Sequence, residues 1–186
     1  MKGLKFNRVI KALLFADIIW FFGEGMLGPL FAIFAERIGG DILEITGAWA
    51  TYLIVSGILI VVVGKISDKV NKRKLVFYGY ILNAILTFGY LLVDTPFKLL
   101  IVQAGLGLAA ALATPTWNAF YSEHEAKTKD GTEWGLADGI SQLFTGIAII
   151  LGGFIVVNFS FTTLFVTMGI IQVISVLALI PILRNK

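Results

Sequence analysis

The stretch Gly64-Lys65-Ile66-Ser67-Asp68-Lys69-Val70-Asn71-Lys72-Arg73-Lys74 sets five positive charges and one negative between two long apolar runs, Trp49 to Gly64 and Leu75 to Val93. A polar link this short reads as chain turning back between two membrane-embedded helices. Short loops rich in Lys and Arg stay on the cytoplasmic side of a bilayer, so the same residues also set the orientation. The other segments can be threaded outward from this point.

Composition leads the same way. Of 186 residues, 58% are hydrophobic and 15% charged, and the mean hydropathy is +0.89. A soluble domain of this size has no means of hiding so much apolar surface. The 20 glycines suit helices that approach closely through small side chains. There is no cysteine, which removes disulfides, thiolate nucleophiles and thiolate metal sites, and His124 is the sole histidine, so a zinc ligand set is lacking. No glycine-rich phosphate loop ending in Lys-Ser/Thr occurs and no catalytic triad spacing stands out. No cofactor, metal or enzymatic chemistry is therefore expected. The net charge of +3 is accounted for by Lys and Arg at loops and termini on one side, so no nucleic-acid partner is called for.

Six apolar spans fit the chain, at about 11–34, 45–64, 75–93, 97–117, 134–157 and 162–183, forming one domain over 1–186. Each is long enough to cross a core roughly 30 Å thick at about 1.5 Å per residue. Unbroken apolar runs without alternation make these helices rather than barrel strands. The fold class expected is thus all-α, a polytopic membrane protein with six transmembrane helices. Lys2, Lys5, Arg8 and Lys11 precede span 1, and Arg184 and Lys186 close the chain, which puts both termini in the cytoplasm of a cell whose plasma (inner) membrane holds the protein. The 118–133 loop dissents, because Glu123, Glu125, Asp130 and Glu133 outnumber Lys127 and Lys129; acidic residues count for little in this rule. The basic start followed by an apolar run resembles a signal peptide. The run reaches Phe34 with no small-x-small cleavage site, so it reads as a retained span.

Inside span 1, Asp17 and Glu24 stand seven residues apart, on nearly one helical face with Phe21 and Gly28. A carboxylate inside a bilayer is costly and usually faces a protein interior or a wet cavity. Glu24, nearer mid-span, is the candidate for proton or cation coupling; the alternative for both residues is a hydrogen-bonded role fastening helices together. Asn83, Gln103 and Gln142 are candidate cavity-lining residues, against the common use of Asn and Gln as glue between helices. Gly105, Gly107, Gly146 and Gly152 read as positions of close helix contact or flexing. Pro29 should kink span 1, and a bend or stop is expected at Pro115. Trp49, Trp117 and Trp134 fall at span ends, where amphipathic rings anchor, while Trp20 lies deeper.

In this six-span setting the opening stretch resembles the signature loop between transmembrane helices 2 and 3 of the major facilitator superfamily. Gly64, Asp68, Lys69 and the Lys72-Arg73-Lys74 cluster match, with Asn71 where glycine is usual. The likeness extends to Gly105 and Gly107 in span 4, to Gly146 and Gly152-Gly153 in span 5, to Gly135 after Glu133-Trp134, and to Phe165 early in span 6. Ile101 occupies the place of a frequent arginine and Ala148-Ile149-Ile150 that of a usual Gly-Pro, so the chemistry tied to those residues is not carried over.

The resemblance is to the N-terminal six-helix half alone. It implies secondary transport of a small solute by alternating access, with a second copy in parallel orientation completing a central cavity among membrane lipids. The alternative is a non-transporting scaffold or assembly subunit. By the same resemblance Gly64, Asp68, Lys69 and Arg73 form a cytoplasmic gate against the other half, with a helix cap as the plainer role for Asp68. Asp138 is either a latch partner for Lys69 or Arg73 or a solvated residue. Little positive charge lies at mid-membrane depth, which disfavours an anionic solute and leaves cationic and neutral amphiphilic ones open.

Overall fold

Helices α1 (Arg8–Gly25) and α2 (Leu30–Arg37) are two pieces of one apolar stretch, bent by 46° at the break between them. A computed structural model describes residues 8–124 and 130–184; Lys2, Lys5, Glu125, Lys127, Lys129 and Lys186 lie outside the described residues. The break has a local cause. Pro29 offers no N–H to continue the ladder, and Gly28 turns with φ +26, a backbone state that side chains disfavour. Turn bonds replace the ladder there, from Leu27 N to the Glu24 carbonyl at 3.3 Å and from Phe31 N to the Gly28 carbonyl at 3.1 Å. The kink expected at Pro29 is therefore a full interruption.

The remaining helices begin and end on readable signals. At the end of α2, Gly39 takes φ +91. Its N–H bonds the Glu36 carbonyl at 3.0 Å while Gly40 N bonds the Ala35 carbonyl at 2.9 Å, the paired closure that satisfies the last carbonyls of a helix. Helix α3 (Ile42–Ser67) opens on a reciprocal cap, Glu44 N donating to Asp41 at 2.8 Å and Asp41 N to Glu44 Oε2 at 3.0 Å. Helix α4 (Lys72–Gly89) is capped by Asn71 and runs into a 3-10 turn, Tyr90–Leu92. Helix α5 (Pro96–Ser122) starts with Thr95 as cap and Pro96 in its first turn. It carries Pro115 in its interior without stopping, since the segment is buried between α3 and α4. Helices α6 (Asp130–Asn158) and α7 (Phe161–Arg184) complete the order, and no strand occurs among the described residues.

Five of these helices are long and apolar enough to cross a membrane, and the bent α1–α2 pair makes a sixth if it is one span. Large aliphatic side chains stay uncovered on the outside, with Ile58 63% and Ile150 73% exposed. In water such a surface would aggregate; in lipid it is the solvated face. The chain is an all-α polytopic membrane protein.

Packing follows an internal repeat. Helix α1 packs on α6 and α7, α5 packs on α3 and α4, and α4 meets α7 between them. Exchanging the first three spans for the last three maps this pattern onto itself. The arrangement leaves α3 and α6 on the flanks, with 11% and 17% of their apolar windows buried, against 50% for α5. Among the described residues two apolar cores fill the bundle. One, around Phe34, Tyr90 and Phe165, lies at the end away from the 64–74 loop; the other, around Tyr80, Phe120 and Tyr121, lies at the loop end.

Candidate functional site

Glu24 sits one turn before the break in span 1, where three spans converge. Its Oε1 accepts from Asn83 Nδ2 of α4 at 2.8 Å and from Gln172 Nε2 of α7 at 3.3 Å. Gln172 Nε2 also donates to the Trp20 carbonyl at 3.1 Å, and Ser175 Oγ donates to the Gln172 carbonyl at 2.8 Å. Asn83 and Gln172 are buried. Two turns earlier on α1, Asp17 accepts from Tyr80 Oη of α4 at 3.4 Å and from Ser141 Oγ of α6 at 3.3 Å. Both carboxyls are therefore held by neutral donors, and among the described residues no cationic side chain bonds either of them.

Each carboxyl opens into its own cavity. Glu24 lines one of about 260 Å³ together with Trp20, Tyr52, Tyr90, Gln103 and Thr145, and Gly25 and Gly28 of the break form part of its wall. An interrupted backbone inside a membrane is tolerated where it lines such a space. Asp17 lines a second cavity of about 190 Å³, with Tyr80, Trp117, Asn118, Trp134 and Asp138. The two share Trp20, Phe21 and Tyr52, and the Trp20 and Tyr80 rings stand 4.3 Å apart. Their walls come mainly from α1, α3, α5 and α6, with Phe31 of α2, Tyr80 of α4 and Tyr90 of the 3-10 turn added, so they occupy the face of the bundle between the two flanking helices. Phe21 and Trp49 line them while 42% and 51% exposed, which makes this a one-sided, open site.

The expected site residues divide. Glu24, Asp17 and Gln103 come together on this face, with Gln103 buried in the cavity wall; Asn83 lines neither cavity and holds Glu24 from within the bundle. Gln142 does not join them: it is exposed on α6 and lines neither cavity. Asp138 faces the Asp17 cavity instead of latching Lys69 or Arg73. Gly107 sits against the α3 backbone, where an added Cβ would lie 2.7 Å from the Tyr52 carbonyl, and Gly152 fits against the Met26 carbonyl. Gly105 abuts the Leu86 side chain, while Gly146 and Gly64 meet nothing within 4 Å.

At the loop, Asp68 is exposed at the C-terminal end of α3, where its backbone N–H bonds the Ile66 carbonyl, and its side chain makes no hydrogen bond or ion pair among the described residues; Asn71 caps the start of α4. Lys69 is likewise exposed. The neighbouring cations grip the end of α5, Lys72 pairing with Glu123 at 2.9 Å and Arg73 lying 5.6 Å from the Phe120 ring centroid. His124 continues that contact through the Phe120 carbonyl, 2.9 Å from its Nδ1. Among the described residues no group of three or more His, Cys, Asp or Glu is placed to hold a metal.

Sequence reasoning passed over Tyr52, Tyr80 and Tyr90, which supply much of the cavity wall. One signal was present: Tyr80, Asn83 and Thr87 recur at helical spacing, which puts one polar stripe of α4 toward span 1.

Fold and site together define half of a membrane-embedded helical bundle whose polar groups converge on one open face. The sequence profile of the Major Facilitator Superfamily matches residues 13–186, and the chain belongs to that superfamily. It is similar to an uncharacterized MFS-type transporter of Methanocaldococcus jannaschii, 28% identical over 131 residues, which covers 70% of this chain and 34% of the relative. It is also similar to multidrug resistance protein MdtG of Salmonella typhimurium, 20% identical over 174 residues, covering 91% of this chain and 43% of the relative. The chain thus spans less than half the length of the curated relatives it matches.

Proposed function

We propose that the chain performs secondary transport of a small solute by alternating access, its half-cavity completed by a second copy of itself inserted in parallel. The observation that carries this reading is the pair of intramembrane carboxyls, Glu24 and Asp17, held among the described residues by neutral donors and opening onto an uncovered face. A buried acid without a cationic partner invites a proton or a cation to neutralise it. Two bundles related by a two-fold axis along the membrane normal would bring their α3 and α6 flanks together and enclose both half-cavities. The slight burial of those two helices supports that arrangement.

Membership in the superfamily supports rocking of one bundle against the other around the central site. In this reading the 64–74 loop and both termini face the cytoplasm. Asp68 and Lys69, exposed and free for contact, meet the second bundle when that side closes. Glu24 is the coupling residue, since it joins spans 1, 3 and 6 through bonds that change with its protonation.

The test is proton or solute flux in proteoliposomes, comparing the parent with Glu24→Gln. Flux in the parent that collapses in the variant supports the reading. Flux unaffected by the change removes Glu24 from the mechanism, and flux in neither protein favours a scaffold subunit.

A further inference from the structure

The cavity beside Asp17 contains groups that coupling through Glu24 leaves unused. Asp17 and Asp138 share it, and among the described residues none that lines it is Lys, Arg or His. The two bonds Asp17 receives are long and come from neutral hydroxyls, Tyr80 at 3.4 Å and Ser141 at 3.3 Å. Asp17, partly buried on α1, is thus left without a bonded cation to offset its lost hydration, and the exposed Asp138 adds a second negative charge at the same cavity. The same walls are aromatic: Trp20, Tyr80, Trp117 and Trp134 all contribute. Trp117 is only 7% exposed, and its Nε1 has no acceptor among the described residues, leaving an unmet donor in the wall.

Carboxylates and the negative faces of aromatic rings attract the same ligand charge. A small metal ion keeps its hydration shell unless several oxygens replace it, and this wall offers mostly rings. A weakly hydrated organic cation suits both features. We infer that this cavity binds an organic cation, an ammonium or phosphonium centre on an apolar or aromatic body, with Asp17 and Asp138 as countercharge and the Trp and Tyr faces as apolar contact. Its volume of about 190 Å³ is below the roughly 300 Å³ at which pockets for drug-sized ligands begin. It therefore takes the cationic head, and the body extends along Phe21 and Tyr52, the wall shared with the Glu24 cavity. The inference rests on the transport reading for the path of the ligand, but not for its binding.

The probe is tetraphenylphosphonium, titrated into the full chain in mild detergent and followed by quenching of tryptophan fluorescence, with tetraphenylborate as the same shape of opposite charge. Saturable quenching by the phosphonium alone is expected, weakened roughly tenfold by Asp17→Asn and by Asp138→Asn and unchanged by the remote Asp94→Asn. Asp138 is exposed, so its variant tests the site even where Asp17→Asn fails to fold. Equal binding of the two ions, or undiminished phosphonium binding in both Asn variants, overturns the inference. Phosphonium binding without flux in proteoliposomes upholds this site and sinks the transport reading. Flux of some other solute without phosphonium binding does the reverse.

Discussion

Removing the Asn83 side chain should loosen the bundle specifically through Glu24. The bond between them is short, 2.8 Å, and Asn83 is only 2% exposed, so no solvent stands ready to replace it. Hydrogen bonds between helices in membranes average about 0.6 kcal/mol and reach roughly 1.7 kcal/mol, whereas bonds to a charged group in proteins run to about 1.5–3 kcal/mol. Gln172 keeps a second bond to the same oxygen at 3.3 Å, which softens the loss. A coupling of about 1–2 kcal/mol between Asn83→Ala and Glu24→Ala follows.

The double-mutant cycle matters because each single change also leaves a void, and that term cancels. Equilibrium unfolding in detergent micelles with rising dodecyl sulfate, read by tryptophan fluorescence, supplies the four stabilities. A coupling below about 0.3 kcal/mol would refute the assignment of Glu24 as the junction of spans 1, 3 and 6.

Helix contact separates the glycines: Gly107→Val and Gly152→Val should each cost about 1–3 kcal/mol by overpacking, because their Cβ atoms would meet the Tyr52 and Met26 carbonyls. Gly146→Ala, facing open space, should instead leave the stability unchanged or raise it by up to about 1 kcal/mol. Gly28→Ala forces a side chain into φ +26 and should lower stability by about 1–2 kcal/mol; a midpoint equal to the parent's would show that the break does not need glycine. Lys72→Ala removes a half-exposed ion pair with Glu123 and should cost less than about 1 kcal/mol; a larger loss in the same assay would make the loop a structural clamp.

Much of the architecture was open to reading because membrane helices announce themselves by length and apolarity alone. The turn at 64–74 could be located from charge. Pro29 marked the weak point of span 1, although not that Gly28 would complete the break. Helix ends escaped the hydropathy pattern: α3 begins at Ile42, ahead of its apolar run, because Asp41 and Glu44 cap each other, and α5 passes Pro115 because packing on α3 and α4 outweighs one lost bond.

The lining of the candidate face was legible where charge was misplaced, at Asp17 and Glu24, and at the amide Gln103, whereas Asn83 holds Glu24 from behind the wall. Gln142 misled, since a lone amide on a flanking helix signals nothing about which way it faces. The tyrosines were hidden, because in an apolar sequence a ring reads as packing until its neighbours are known. Asp138 was open between a latch on the loop and a solvated residue; it is exposed, beside the cavity of Asp17.

The central claim is that this bundle is one half of a site and that its own copy supplies the other. The chain lacks cysteine, so a single cysteine at Val70, 44% exposed in the loop, gives one dye per chain. Counting bleaching steps per spot in dilute lipid vesicles tests the claim directly. Two steps in most spots are predicted, and one step in nearly all of them would contradict it.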